Sequence, residues 1–286
     1  MTLTTLKSYL PTPIRHALGV TRAVTKRLIV WRQVAERISG QNVEDRAVLA
    51  RSIRRSPITV WRDLDRWQFP MVESDCQVVS KGVGTFWVRA HTDDLFHVLP
   101  GQEPAVENVI RNALRAGDTF VDAGSNIGYY TIVASPLVGE SGRVIACEMM
   151  PITAAVLRQH VAVNDAGNVT VIEGALADTE GQTVTASFSP GKFGQASIAR
   201  STDGPTVSVK TRTLENILCD VFKVSLMKMD LEGAELGALR GLGDAILKVR
   251  SIVFENRDSP DVVKFLEDRG FSVRRIDGNN ALAQRL

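Results

Sequence analysis

From about residue 118 to the end, short apolar runs alternate with stretches of helical periodicity, and this alternation most narrows the folds open to the chain. Strands are expected near 119–123, 143–148, 169–174, 225–230 and 250–255, with helices near 127–137, 151–165, 233–247 and 260–269. A final pair of strands, 272–276 and 281–286, brackets the turn sequence Asp277-Gly278-Asn279-Asn280 and predicts a closing hairpin. Strands that are apolar throughout must be covered on both faces. The pattern therefore predicts an α/β fold, a doubly wound and mostly parallel sheet with one antiparallel strand at its end.

The first hundred residues read differently. Thr12-Pro13 has the form of a helix start, and apolar residues then recur at helical spacing until Gly40 supplies a stop. Further helices fit 43–55 and 58–67. "CQVVSKGVGTFWVRAH" alternates and turns at Lys81-Gly82, so a β-hairpin follows, and "EPAVENVIRNAL" is a helix. Residues 1–67 hold 13 basic and 5 acidic residues, against 21 and 27 in the remainder. A basic front of this kind suits either a solvated helical cap or contact with an anionic partner such as a lipid surface. Nucleic acid is not expected, because aromatic and basic residues do not interleave. Three scattered cysteines, Cys76, Cys147 and Cys219, give neither a metal spacing nor a disulfide framework, and they fit a reducing cytosol. No run resembles a signal peptide or a transmembrane helix, so a cytoplasmic location is expected.

Residues 120–131, "FVDAGSNIGYYT", join the first strand of the alternation to its helix. In such sheets ligands bind beyond the carboxyl ends of the strands, at the point where the strand order reverses. Gly124 allows the turn. Gly128 lets the helix start close to a ligand or to the strand. Bare amides at a helix start attract anions, but Asp122 at the mouth of the loop would repel a pyrophosphate. The G-x-x-x-G spacing is also not that of a dinucleotide fold. Glu148 ends the second strand, 20 residues after Gly128, where a carboxylate can accept hydrogen bonds from ribose hydroxyls. A ligand with a ribose, a cationic end and no phosphate fits S-adenosyl-L-methionine. Glu173, Ala175 and Leu176, after the third strand, are placed to line its adenine.

"GDTFVDAGSNIGYYTIVAS" and "VSLMKMDLEGAELGALRG" resemble the two signature blocks of the FkbM family of methyltransferases, and the similarity runs from about Glu103 to Arg269. The resemblance implies a Rossmann-like seven-stranded sheet, S-adenosyl-L-methionine as cofactor and O-methylation of hydroxyl groups on sugars or natural products. Asp122, Gly124, Asn126 and Gly128 match the donor-binding loop, and Glu148 matches the ribose acid. Asp230, Glu232, Gly233 and Glu235 match the second block. The family usually places a proline directly after the ribose acid; here the sequence is "EMMP". The domains expected are a basic helical extension or cap over 1–70, a hairpin lead-in over 71–102 and the methyltransferase domain over 103–286.

Asp230 closes the fourth strand and is the expected orienting or base carboxylate. Glu232, in the turn, is placed to position substrate hydroxyls. Glu235 suits the first turn of the next helix. Asp230, Glu255 and Asn256 share oxygen ligands that some O-methyltransferases use for Mg²⁺, but nothing in their spacing demands a metal and none is expected. His160 is expected on a helix surface, and His97 in a loop from which a histidine can serve as base. Residues 186–200 read as a flexible flap in which Lys192 can meet an anionic acceptor. Competing readings are an N-methyltransferase on the same fold, a nicotinamide-dependent oxidoreductase, and a non-catalytic scaffold docking through its basic helices. The first lacks the Asn/Asp-Pro-Pro-aromatic motif, and Asp122 with the missing third glycine opposes the second. The acceptor and the oligomeric state are not legible, though an oligomer is compatible with the apolar helical front.

Overall fold

A computed structural model describes residues 12–62, 69–199, 204–256 and 259–286. The chain divides into two units, one of residues 1–82 and 86–100, the other of 83–85 and 101–286.

In the first unit, α1 (Thr12–Arg37) leads directly into β1 (Ile38–Gly40), followed by α2 (Val43–Arg62). Gly40 is therefore a strand residue and not simply a helix stop: a Cβ there would lie 2.3 Å from the Arg46 amide nitrogen. The two helices expected over 43–55 and 58–67 are one helix as far as Arg62, and the rest of that prediction lies outside the described residues. Strands β2 (Cys76–Ser80) and β3 (Gly84–Val88) form the expected hairpin and complete a sheet of order β1-β2-β3. A single turn of helix, α3 (Asp94–His97), holds His97, whose Nε2 lies 3.2 Å from Asp93 Oδ2 in the same unit.

The second unit opens with α4 (Pro104–Ala113) and β4 (Thr119–Ala123), then α5 (Tyr129–Val138), β5 (Arg143–Glu148), α6 (Pro151–Val163) and β6 (Val169–Glu173). After β7 (Ala175–Leu176), β8 (Thr183–Ser189), β9 (Lys192–Ser197) and β10 (Thr206–Arg212), the short α7 (Leu214–Ile217) returns the chain to the main sheet. That sheet continues with β11 (Leu226–Met229), α8 (Glu235–Arg240), β12 (Ser251–Glu255), α9 (Pro260–Glu267), β13 (Phe271–Arg275) and β14 (Asn280–Arg285). Its order is β13-β14-β12-β11-β4-β5-β6, and every pairing is parallel except those made by β14. The single antiparallel strand thus lies inside the sheet rather than at its end, because the closing hairpin sends β13 to the edge and inserts β14 between it and β12.

The chain runs from β4 outward through β5 to β6, then returns to place β11 on the other side of β4. The strand order therefore reverses between β4 and β11, and the crevice lies beyond Ala123 and Met229, which are in register. Along these strands Val121, Ala123, Met227 and Met229 join a buried core with Ile145, Ile252 and Phe254. Alternation sends Asp122 and Lys228 to the opposite face.

The segment read as a flap is a built sheet of order β7-β10-β8-β9. Ala186, Ala196 and Val209 bury a small core with Met150 and Ala175, flanked by Phe188 and Phe193 with ring centroids 5.6 Å apart. Alternating apolar residues on β8 give this sheet an inner face, which its glycines and serines mask in the sequence.

Candidate functional site

The loop between β4 and α5 is fixed from three sides. Gly124 has φ +80°, and a Cβ on it would stand 1.9 Å from the Asp230 carbonyl oxygen, so only glycine lets β4 and β11 meet there. Gly128 has φ +92° and faces the Leu157 side chain on α6 at 2.3 Å from a hypothetical Cβ. Its bareness serves helix packing. Asn126 also takes a left-handed conformation, with φ 49°. From below, the buried His160 places Nδ1 2.7 Å from the Ile127 carbonyl, to which it donates. The expectation of a surface histidine is thus corrected: α6 turns this face onto the loop.

The loop spends its amides internally. Gly124 and Ser125 both donate to the Cys147 carbonyl, Asn126 donates to Glu148 Oε2 at 2.9 Å, and Gly128 donates to the Ser125 carbonyl. Four of the five amides over 124–128 are therefore unavailable to an anion. The turn itself thus offers no cradle for a phosphate.

Carboxylates dominate instead. Glu148, 7% exposed at the tip of β5, accepts from the Met150 amide through Oε1 as well as from Asn126, and burial pushes its carboxyl up to about 7. Each oxygen keeps a further lone pair for a ligand hydroxyl. Asp122 is not at a mouth but sealed inside β4, with no exposed surface. Its Oδ2 accepts from Thr131 Oγ1 at 2.7 Å, while no hydrogen-bond donor reaches Oδ1. Burial pushes the Asp122 carboxyl upward, and Lys228 and Thr131 pull against that.

Lys228, directly across from Asp122 in the β4–β11 register, was not singled out from the sequence. Its Nζ donates to the Gly124 carbonyl at 3.1 Å and lies 3.4 Å from Asp230 Oδ2 and 3.9 Å from Asp122 Oδ1. Burial works against its charge, but the carboxylates of Asp230, Asp122 and Glu103 outweigh burial and raise its pKa. A lysine inside the apolar run "LMKM" is the available sequence signal, since a buried ammonium requires partners.

Asp230 stands at the tip of β11 with its side chain 36% exposed. The turn after it is unusual: Glu232 has φ 52° and Gly233 φ 101°. Glu235, buried, holds this turn by accepting from the Leu231 amide at 2.9 Å and the Gly233 amide at 3.2 Å through Oε1. Ser197 on β9 donates to the Glu232 carbonyl.

The structure thus brings Asp122, Gly124, Asn126, Glu148 and Asp230 together around one crevice, with Glu232 on its rim. The other expected residues have protein partners of their own. Glu173 is in register with Glu148 but pairs with Arg158 at 3.0 Å. Ala175 and Leu176 form the two-residue β7, and their side chains are packed in protein interior. Asn256 is nearly buried and accepts from the Ser259 amide. Among the described residues there is no His, Cys, Asp and Glu grouping suited to a metal ion. Cys147 lies beneath the loop, its thiol pushed up to about 12 by burial, and has no nucleophilic character at neutral pH.

A doubly wound sheet with a carboxylate-lined switch point and no phosphate cradle suits a nucleoside ligand that carries positive charge. The partly exposed Asp230 and the remaining lone pairs of Glu148 fit the sulfonium and ribose of S-adenosyl-L-methionine, with the buried Asp122 adding negative charge beneath them. The chain belongs to the FkbM methyltransferase domain family, whose pattern it matches over residues 122–273. It is a methyltransferase, and its methyl donor is S-adenosyl-L-methionine. Methyltransferase sdnD of Sordaria araneosa is 25% identical over 194 residues, covering 54% of this chain and 74% of that protein. Among solved structures, the FkbM methyltransferase of Methylobacillus flagellatus KT is 17% identical with a TM-score of 0.41, covering 66% of this chain and 52% of that one. Fibrillarin of Aeropyrum pernix, solved with natively bound S-adenosyl-L-methionine, is 13% identical with a TM-score of 0.41, covering 64% of this chain and 74% of that one. Among the described residues no helix is long and apolar enough to cross a membrane.

Proposed function

We propose that this chain methylates a hydroxyl group on a sugar, glycan or other small natural product. The observation that supports this most directly is Asp230, an accessible carboxylate at the switch point, held beside the glycine loop by Lys228 at 3.4 Å. When bound, the donor supplies a methyl group already activated by its sulfonium charge.

The residues divide the remaining work. The loop over Gly124–Gly128 and the Glu148 carboxylate hold the donor, with Glu148 accepting from the ribose hydroxyls. Glu173 and the backbone of Ala175 and Leu176 form the wall on the adenine side. Asp122 acts from beneath the loop, as the counter-charge of Lys228. Asp230 accepts the proton that the acceptor hydroxyl must lose. Glu232, strained into a left-handed turn, orients the acceptor's other hydroxyls. Holding the acceptor oxygen in line supplies a further part of the rate, up to about 7–11 kcal/mol in ideal cases.

A labelled-methyl transfer screen against sugars, glycolipids, hydroxylated metabolites and primary amines tests the reading. Label is expected on hydroxyl acceptors. Label on amines alone would overturn it in favour of N-methylation. With an acceptor in hand, Asp230→Asn should lower turnover at least 100-fold while the affinity for S-adenosylhomocysteine stays within about threefold.

The first unit supports an anionic partner. Arg22, Lys26, Arg46, Arg51 and Arg54 are exposed there, and Leu28 and Ile29 on α1 are each 57% exposed. This is the composition of a peripheral contact with an anionic membrane surface. Sedimentation with phosphatidylserine vesicles at physiological salt checks it, and binding no greater than to neutral vesicles would remove it.

A further inference from the structure

Lys228 takes no direct part in the proposed reaction, yet it contacts Gly124, Asp122 and Asp230 at once. It enters from the third position of β11, on the face covered by α5, and its ammonium lies 5.6 Å from the Tyr130 ring centroid. Tyr130 in turn donates to Glu103 Oε2 at 3.1 Å, which brings a third carboxylate into the field of the ammonium after Asp230 and Asp122. Glu148 feels the same charge. One cation therefore serves four acids and also grips the Gly124 carbonyl at 3.1 Å.

We propose that Lys228 is a positioning residue that pins the glycine loop through the Gly124 carbonyl and sets the charge of the donor site by offsetting Asp122 and Asp230. This inference rests on the donor-site reading above. The donor carries a sulfonium and its spent product does not, so the balance of charge at the switch point decides how strongly the site prefers one over the other. With four carboxylates against one ammonium the site favours a cation. Removing the ammonium does two separable things: it frees the loop, which weakens every ligand, and it makes the site more negative, which weakens a neutral ligand more than a cationic one.

Calorimetric titration at pH 8 with S-adenosylhomocysteine and with sinefungin separates these effects. Sinefungin carries an ammonium-bearing carbon where the donor has its methylated sulfur. The wild type should bind sinefungin the more tightly. Lys228→Met should weaken S-adenosylhomocysteine at least tenfold and raise the preference for sinefungin at least fivefold. Lys228→Arg keeps the charge, so its preference should stay within twofold of the wild type. In the double variant Asp122→Asn/Lys228→Met both charges go together, so the preference should return to within twofold of wild type while both affinities remain reduced. If Lys228→Met does not fold, the arginine and double variants carry the test. Wild-type affinities in Lys228→Met or in the double variant overturn the proposal. So does an equal loss for both compounds in Lys228→Met, which is what a merely structural lysine gives. A wild type that binds neither compound overturns the donor-site reading itself and this inference with it, a result distinct from the others.

Discussion

The Glu148 carboxylate accepts a hydrogen bond from the Asn126 amide at 2.9 Å, so the acid at the tip of β5 is fastened to the loop that leaves β4. One side chain both shapes the loop and presents the ribose acceptor. Because burial raises its carboxyl to about 7, the folded state keeps a proton that the unfolded chain has lost between about pH 4.5 and 7. Glu148 therefore favours the folded state least above pH 7, and its contribution improves as pH falls through that window. The expected difference between the ends of the window is on the order of 3 kcal/mol. Urea unfolding of the ligand-free protein at pH 5 and pH 8 should show a fall in stability with pH that Glu148→Gln reduces, the remainder coming from the likewise raised Asp122. An identical pH dependence in the variant would contradict this assignment.

Two glycines in the same loop should respond unequally to alanine. At Gly124 the added methyl meets the backbone carbonyl of Asp230, which cannot move without parting β4 from β11. At Gly128 it meets the far end of the Leu157 side chain, which can rotate. Both positions also bear left-handed strain of about 1–2 kcal/mol for a residue with a Cβ. Gly128→Ala should stay near that figure, whereas Gly124→Ala should exceed about 4 kcal/mol or fail to fold. Chemical denaturation compares them directly, and equal costs would mean that the strands part easily at the switch point.

Glu235 closes the turn that presents Glu232, through two amides on one oxygen. Glu235→Ala leaves those amides unpaired and should cost roughly 1–3 kcal/mol. It should also lower turnover on the true acceptor more than it lowers donor affinity, because the turn it releases carries Glu232 and follows Asp230. Glu235→Gln, which keeps an acceptor oxygen, should recover most of both. Equal loss of donor affinity and turnover would argue that the turn belongs to the donor side.

The alternation of apolar runs with helices was sufficient to read the strands and the crevice, because buried parallel strands have few other arrangements. Strand order was less accessible: β13 and β14 look alike in sequence, and only pairing reveals that β14 lies inside. Asp230 and Glu148 stand out in the sequence because each is an acid that closes an apolar strand, but the amides that Glu148 holds are visible only in the fold. Lys228 is masked in the sequence because the acids of "KMDLEG" dominate the segment, and only the fold shows that Asp122 and Asp230 flank a cation. That Ala175 and Leu176 begin a second sheet is not legible in the sequence, since two residues are too few to show a period.

His160 illustrates how a loop can depend on a residue far along the chain. Its Nδ1 donates to the Ile127 carbonyl, and both residues are buried, so the carbonyl has no route to solvent if the donor is lost. His160→Leu fills similar volume without the donor and should destabilise the protein by about 1–3 kcal/mol. Because Ile127 lies between Asn126 and Gly128, the same change should weaken S-adenosylhomocysteine about tenfold. His160→Asn carries an amide N–H and should restore part of both when calorimetry and thermal unfolding are run on the pair. Full donor affinity in a folded His160→Leu protein would show that the loop holds its shape without this bond, leaving Glu148 and Lys228 as its anchors.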